Sequence, residues 1–554
     1  MTNYKILSEI NLSSIDDIGH IKRMLDDFLK RNKRNSYKPN DRLRIVLGGH
    51  DIYTNFSSYG LKLAIIQHTC DEVNISRCFI QVLSTNPNLE EEIKQIGNPN
   101  NVNERLNYEY LEGDFKKIKK KSSDYEYGSQ IPTKVLLESL SEREVYWLTE
   151  SKTFCMYPWV HLYASPNGEA QPCCVWDHKQ KMCSTKEMNL KEIYNSPQWR
   201  KLRLDMMNDR PAKGCKPCYE QERNGFFSNR QSSNMHLGHF VNKITETDDQ
   251  GYCNNFQLSY WDIRFSNLCN LSCRSCGHIF SSSWYKDQVK LAGPEYAKNN
   301  KALFWAGRHK TDMLEQLLEH IDYVEQIYFA GGEPLMMDEH YHILEELERK
   351  KKFNVRLIYN TNFTQIKLKD RLVFDYWRKF DSVAVGASLD AMGTRAEYIR
   401  KNTVWSEIEE NRRKMQEMCP GVDFYISPTI SIQNVWHVSD FHKDWVDRGF
   451  IKPQDLHTNP VLDPAYLRID ILPDHYKKQV IEKIKKHLEW LRPIDKLQRA
   501  TQGFESIIHL LETPHSNSEF LMKQFWKRME ELDKLRNENL LETIPELNEI
   551  RINN

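Results

Sequence analysis

No apolar run of about 18 residues occurs in the 554-residue sequence, which argues against a membrane-spanning helix. A surplus of charge of one sign is absent too, since 77 Lys and Arg stand against 77 Asp and Glu. Coating nucleic acid relies on counterion release by an excess of basic side chains, so no nucleic-acid partner is expected, local basic patches aside. The first residues, MTNYKILSEINLSSIDD, carry neither the basic n-region nor the apolar h-region of a secretion signal. The expectation is a cytoplasmic protein with no membrane partner. What is present is an ordinary globular composition, 40% apolar and 28% charged, on a chain long enough for about three to four domains.

The thirteen cysteines are the uncommon feature. Without a secretion signal, and with an odd count, clustered thiols point to metal binding or catalysis rather than to a disulfide framework. Cys70, Cys78, Cys253 and Cys419 are scattered and read as small buried hydrophobes. The rest form two groups: Cys155, Cys173, Cys174, Cys183, Cys215 and Cys218, then Cys269, Cys273 and Cys276.

Residues 1–145 read as a separate α/β domain of unassigned role, with an amphipathic helix over 15–30 and strand-length apolar runs at 43–47, 61–67 and 78–83. Gly48, Gly49 and His50 read as a turn, and the charged stretch from Lys116 as a solvated linker. A small cysteine-rich domain spans 146–235. From 236 to 465 short strands alternate with helices: strands are expected at 260–266, 326–330, 355–360, 382–389, 424–431 and 456–461, with helices such as 311–323 and 339–351 between them. Six β/α repeats imply a parallel sheet with right-handed crossovers, curled into a partial or complete barrel. Chemistry in such sheets gathers at the carboxyl ends of the strands, where the loops converge. Residues 466–554 read as a helical extension, with Ile481, Ile484, Leu488 and Leu491, then Phe525, Met529 and Leu532, at helical spacing.

The segment CNLSCRSC follows the first barrel strand and sets Cys269, Cys273 and Cys276 in a C-x3-C-x2-C spacing. Three soft thiolates so close suit zinc or an iron–sulfur cluster. A cubane has four irons, so three protein ligands leave one open; a structural zinc site would need a fourth ligand, which His278 can supply. At the end of the second strand stands IYFAGGEP, with Gly331, Gly332, Glu333 and Pro334. Glycines there let backbone oxygens and Glu333 approach a ligand, such as an ammonium group, that needs acceptors.

With this triplet and GGEP one strand apart, the sequence resembles the radical S-adenosylmethionine (SAM) superfamily. The resemblance implies a partial (β/α)6 TIM-type barrel holding a [4Fe-4S] cluster on the triplet, with SAM chelated by the open iron. Reductive cleavage of SAM would give a 5′-deoxyadenosyl radical that takes hydrogen from a substrate. By the same resemblance the GGEP residues bind the SAM amino group, and Asn360, Thr361 and Asn362 occupy the family's TNG position, with Phe363 in place of the glycine. Ser388 and Asp390 match the S-x-D motif near the ribose and methionine carboxylate, and Arg400 falls where an arginine often meets that carboxylate. Ser275 stands where an aromatic residue is common.

The upstream group begins at Cys155, runs through a hairpin expected around Pro166, Asn167 and Gly168 to Cys173 and Cys174, and ends in CKPC with Cys215 and Cys218. NLKEIYNSPQWRKLR reads as a helix pair between them. Four thiolates from a hairpin and a C-x2-C knuckle suit a structural zinc ribbon or a second cluster. The pattern resembles the twitch/SPASM auxiliary [4Fe-4S] domain of radical SAM enzymes, here placed before the barrel. The resemblance implies Cys155, Cys173, Cys215 and Cys218 as ligands, with Cys174 competing with Cys173 and Cys183 a weaker candidate. It also implies an external low-potential electron donor and a peptide or protein side chain as substrate, with a sugar or nucleotide-sugar second. The competing class is a zinc-stabilised, non-catalytic binding protein on a degenerate barrel.

Overall fold

A computed structural model describes residues 5–11, 41–46, 78–82, 106–110, 113–114, 140–223 and 228–551. Five N-terminal strands, β1 (Lys5–Asn11), β2 (Asp41–Val46), β3 (Cys78–Val82), β4 (Leu106–Tyr110) and β5 (Gly113–Asp114), form one sheet in sequence order. The first three pairings are parallel and the last is antiparallel. Strands β2 and β3 coincide with the apolar runs at 43–47 and 78–83. The expected helix at 15–30, the run at 61–67, Cys70, the Gly48–Gly49–His50 turn and the Lys116 stretch lie outside the described residues.

The chain divides into two compact units, one comprising residues up to 163 with 170–184 and 188–261, the other 164–169, 185–187 and 262–554. In the first, α1 (Glu142–Thr149) starts on a capping box in which Ser141 and Glu144 satisfy each other's backbone N–H. Residues Tyr157–Val160 form a helical turn, α2, rather than the start of a strand, because Pro158 sets a helical φ and has no N–H for a ladder. The hairpin strands are therefore short: β6 (His161–Ala164) and β7 (Glu169–Gln171). The turn between them, which belongs to the second unit, closes through Gly168 N–H to Ser165 C=O (2.9 Å), with Gly168 at φ +93°. The expected helix pair is α3 (Leu190–Tyr194) and α4 (Pro197–Met207), capped by Asn189 and Ser196. Then come α5 (Lys216–Arg223) and α6 (Asn229–Leu237). Cys253 is buried here, as is Cys419 in the second unit, in keeping with their reading as small core residues.

The second unit is built on parallel strands. Strand β8 (Tyr260–Ile263) leads into the two-residue β9 (Ser272–Cys273). After α7 (Tyr285–Ala292) and α8 (Asp312–Leu318) come β10 (Gln326–Phe329), α9 (Asp338–Arg349), β11 (Arg356–Thr361) and β12 (Val383–Ala387). These are followed by α10 (Gly393–Ile399), β13 (Arg400–Lys401), α11 (Trp405–Met418) and β14 (Asp423–Ile426). The sheet order is β14-β12-β11-β10-β8, with β10, β11, β12 and β14 mutually parallel. The run expected at 424–431 breaks at Ser427–Pro428 and resumes as Thr429–Ile430, since proline cannot donate to the ladder. The sixth run, 456–461, lies parallel beside it through an Ile426–Leu456 bridge and the Thr429–Asn459 pair.

The two faces of this sheet differ. Ile327, Phe329, Leu357, Tyr359, Val383, Val385, Phe424 and Ile426 are buried. Tyr359 stacks on Phe329, and its hydroxyl shares a 2.9 Å hydrogen bond with His340 of α9. On the other face Asn360, Gly386 and Tyr425 stand in register across three strands. A Cβ on Gly386 would lie 2.8 Å from Asn360 Oδ1 and 2.9 Å from the Tyr425 ring, so glycine leaves both side chains their room. The C-terminal helices α12 (Asp474–Leu491), α13 (Arg499–Glu512) and α14 (Ser518–Arg536) bury Ile484, Leu488 and Leu491, then Phe525, Met529 and Leu532, as the helical spacing expects, while Ile481, picked out by the same spacing, is only half-buried. Among the described residues no helix is long and apolar enough to cross a membrane.

Candidate functional site

The triplet loop in the second unit is shaped by backbone pairing. Cys273 pairs antiparallel with Arg400 and Ser272 with Lys401, while Cys276 N–H closes a turn onto Cys273 C=O (3.1 Å). Cys269 N–H donates to Ser282 Oγ, and Trp284 Nε1 donates to Cys273 C=O (2.8 Å). Cys269, Cys273 and Cys276 thereby come within electrostatic range of one another. Burial pushes all three thiols up, Cys276 to about 12. Ligation requires thiolates, so loading a metal here must displace protons.

The GGEP turn lies against the same loop. Glu333 N–H donates to Leu268 C=O (2.7 Å) and Gly332 N–H to Ser266 C=O (3.3 Å). A Cβ on Gly332 would sit 2.1 Å from Leu268 O, so only glycine permits this approach. Gly331 adopts φ +128°, in the region open to glycine. Pro334 begins a short 3-10 turn, Pro334–Met336. Glu333 is buried, and burial raises its carboxyl to about 7 against the pull of its own donors. Those donors are Thr361 Oγ1 (2.7 Å), Asn362 N–H (2.7 Å) and Leu335 N–H (3.1 Å).

Asn362 joins the two motifs. Its side-chain amide donates to Asn270 Oδ1 (2.9 Å) and lies 3.8 Å from Cys269 Sγ. Phe363, where the resemblance expects glycine, takes φ +58°, a left-handed backbone that glycine adopts without strain, and is fully buried against Phe424. Ser388 N–H donates to Thr361 C=O (2.8 Å) at the end of β12. Asp390 is buried and paired with Arg400, whose Nε lies 2.8 Å from Asp390 Oδ2, while Arg400 Nη1 reaches Cys273 Sγ at 3.6 Å. Arg400 therefore already has a carboxylate partner and a cysteine beside it. That link between Arg400 and a cluster-loop thiol is not readable from motif spacing; the signal for it is the pairing of residues 272–273 with 400–401.

His278 does not face the thiols as a fourth ligand. Its Nδ1 bonds Tyr296 Oη (2.8 Å) and its Nε2 bonds Ala302 C=O (3.0 Å), so both ring nitrogens are committed. Among the described residues no three or more His, Cys, Asp and Glu converge as ligands of a single ion. A cubane binds its cysteines through separate irons, so thiols on different corners rather than around one point are what it needs. The donor set of the triplet, soft sulfurs with a polar rim, fits such a group.

In the first unit the second cysteine group is drawn together from four places. Cys155 lies two residues before α2 with its thiol 3.0 Å from Ser233 Oγ, and Cys173 follows β7. Cys215 ends the 3-10 turn Lys213–Cys215, and Cys218 lies in the first turn of α5. Cys173 is within electrostatic range of Cys155, Cys215 and Cys218, and burial raises it well above the ordinary thiol value. Burial likewise pushes Cys155 up to about 12. Cys174 acts on its neighbour Cys173, and the Cys183 thiol is 3.2 Å from Ser196 Oγ. Trp176 packs over the knuckle so closely that a Cβ on Gly214 would meet its ring at 2.1 Å. Arg230 is a buried cation beside the thiols, anchored by Glu222 (2.6 Å) and the carbonyls of Ser151 and Phe154. Sequence motifs did not single it out; a buried arginine near four sulfurs offsets the charge of a thiolate-bound cluster.

Residues 155–219 match the family model described as SPASM, iron-sulfur cluster-binding domain. No curated protein matches the chain. Two solved structures resemble it. One, a hexahistidine-tagged anSMEcpe with bound AdoMet, has 19% identity and a TM-score of 0.27, over 37% of this chain and 50% of that one. The other, native anSMEcpe with bound AdoMet, has 17% identity and a TM-score of 0.30, over 46% of this chain and 62% of that one. The likeness thus spans about half to under two thirds of those chains, and at such scores it adds nothing to the fold described above. The iron–sulfur match covers the four gathered cysteines, and it bears out the reading of that stretch as a SPASM-type iron–sulfur domain.

Proposed function

We propose that the chain is an enzyme that reductively cleaves SAM at a [4Fe-4S] cluster held by Cys269, Cys273 and Cys276, with an auxiliary [4Fe-4S] cluster on Cys155, Cys173, Cys215 and Cys218. The observation that carries this reading is the bridge at the strand ends: Asn362 contacts both Glu333 and Cys269, so a carboxylate acceptor and a three-thiol loop face one small volume. When bound, the cluster and SAM supply one-electron chemistry that yields a hydrogen-abstracting 5′-deoxyadenosyl radical. The chain's own residues bind and orient. Glu333 and the backbone of Gly331, Gly332 and Pro334 receive the amino group. Asn362 holds the GGEP loop and the cysteine loop at a fixed spacing, and Ser388 with Asp390 lies toward the ribose and carboxylate. Arg400 offsets the negative charge of Cys273 and Asp390. The parallel strands, with the sixth run beside them, are read as a partial (β/α)6 barrel whose polar face, with Asn360 and Tyr425, receives the substrate.

For the substrate, a peptide or protein side chain is favoured and a sugar or nucleotide-sugar comes second, because auxiliary-cluster modules of this kind accompany such chemistry. An external low-potential donor would reduce the clusters, and the auxiliary cluster would move an electron to or from the substrate. The test is anaerobic purification followed by reduction in the presence of SAM. A brown protein with about eight irons per chain that releases methionine and 5′-deoxyadenosine supports the reading. Colourless protein with stoichiometric zinc and intact SAM would replace it with the zinc-stabilised binding protein.

A further inference from the structure

The residue that follows the second cysteine of the triplet, Arg274, points away from the sulfurs and is fully buried. Its guanidinium is held from the far end of the sequence. Nη2 lies 2.5 Å from Asp533 Oδ1 and 2.6 Å from Glu538 Oε2, and Nη1 is 3.6 Å from Met529 Sδ. The Tyr398 ring lies under it, 3.6 Å from centroid to guanidinium carbon, and Tyr398 Oη donates to Asp533 Oδ1 (2.7 Å). Arg274 Nε and backbone N–H donate to the carbonyls of Tyr398 and Ile399. Both carboxylates are themselves fixed. Asp533 Oδ2 accepts from Leu540 N–H (2.7 Å), and Glu538 Oε1 pairs with Lys401 (2.7 Å), the strand partner of Ser272.

The tail reaches this position through its own sequence. Helix α14 stops at Arg536, and Asn537 takes the left-handed conformation (φ +55°) that turns the chain so Glu538 meets Arg274. A second string runs from the same helix end. Arg536 pairs with Asp287 (2.9 Å) and lies 4.7 Å over the Trp284 ring, and Trp284 Nε1 holds Cys273 C=O. Two arginines, one from the loop and one from the tail, thus lock the segment carrying Cys273 and Cys276 to residues 533–538. An arginine fork between two carboxylates is directional, and a buried guanidinium that loses one partner is left uncompensated.

We infer that the C-terminal tail is a positioning element of the triplet loop: Asp533 and Glu538 act through Arg274 to hold Cys273 and Cys276 in register for their cluster. The inference rests on the radical SAM reading of the triplet but concerns residues outside the cysteines and the GGEP turn. It gives the C-terminal extension a role beyond packing.

The experiment uses the full chain, reconstituted anaerobically, as wild type and as Asp533→Asn, Glu538→Gln and the double variant, which preserve shape and remove charge. Three quantities are read: iron loss to a chelator over time, the electron paramagnetic resonance signal of the reduced chain with and without SAM, and the thermal midpoint. A Cys269→Ala, Cys273→Ala, Cys276→Ala chain identifies the auxiliary contribution. Expected is roughly tenfold faster loss of the triplet's irons and an altered SAM-dependent signal in the double variant, with auxiliary irons retained and the thermal transition still cooperative. Arg274→Lys should have the same effect, and adding it to the double variant should bring little more, because all act through one contact. Variants that keep wild-type iron loss and signal overturn the inference. So does loss of the thermal transition together with the auxiliary irons, since the contacts would then serve the fold as a whole. If the wild-type triplet holds no iron, the radical SAM reading itself fails, which is a separate outcome.

Discussion

Thr361 Oγ1 donates a 2.7 Å hydrogen bond to Glu333, tying the end of the third sheet strand to the GGEP turn at the end of the second. The carboxyl that receives it is buried and raised to about 7 despite three donors, so burial outweighs them. The folded chain therefore binds a proton at Glu333 more tightly than an unfolded chain does. That contribution to stability is fully present below the ordinary carboxyl value and is lost as pH rises through about 7.

An amino group is better received by the carboxylate than by the acid. Affinity for SAM should consequently fall as pH drops below about 7, by up to about tenfold per pH unit, the limit for one linked proton. Glu333→Gln should lower affinity by about 10-fold to 100-fold, as losing a charge-assisted hydrogen bond does, and remove the pH slope. Equilibrium binding to the reconstituted chain across the neutral range checks both. A slope that survives the substitution would assign the proton to another group.

The two cysteine groups should separate by what their loss removes. Changing Cys269, Cys273 or Cys276 to Ala should leave about four irons of about eight and abolish SAM cleavage. Changing Cys155, Cys215 or Cys218 should also halve the iron but leave cleavage measurable, while product formation stops. Iron assay with a 5′-deoxyadenosine assay distinguishes them. If the upstream variants turn over substrate at full rate, the first unit's metal is structural.

How far this was legible in the sequence depends on which contacts are local. The triplet, the GGEP turn and the upstream cysteines announce themselves because close spacing of soft ligands and paired glycines is a one-dimensional signal. The core positions of α12 and α14 were legible too, since helical periodicity marks a buried stripe, with Ile481 at the half-buried edge of it. Strand lengths were overestimated at 260–266, where β8 ends at Ile263, and at 424–431, where Pro428 interrupts the ladder after Ile426. The tail was legible as helix but not as a partner of Arg274. An ion pair spanning more than 250 residues leaves no trace in spacing, and neither does Arg230 beside the first unit's thiols.

Phe363 stands where the resemblance expects a glycine. Its left-handed backbone costs about 1–2 kcal/mol for an L residue, yet the ring is fully buried against Phe424 at 5.2 Å. Phe363→Gly relieves the backbone and deletes a large core side chain, a loss of about 3–5 kcal/mol. Packing should win, with a net destabilisation of about 1–4 kcal/mol and a lower thermal midpoint. A variant more stable than wild type would mean that the ring contributes little here.

Adjacent cysteines 173 and 174 offer the sharpest test of the first unit. They share a loop after β7, and Cys173 lies within electrostatic range of Cys155, Cys215 and Cys218, in a buried setting to which Arg230 contributes. One thiolate from that position completes four ligands, and a cluster with four cysteines has no open iron. Cys173→Ala should therefore open a site or empty it: iron falls by up to about four per chain, and any retained cluster becomes sensitive to added thiol in its electron paramagnetic resonance signal. Cys174→Ala should keep full iron and an unchanged signal. The reverse pattern, with Cys174 required and Cys173 dispensable, would mean that the loop after β7 turns over when the cluster binds, exchanging which sulfur faces the other three.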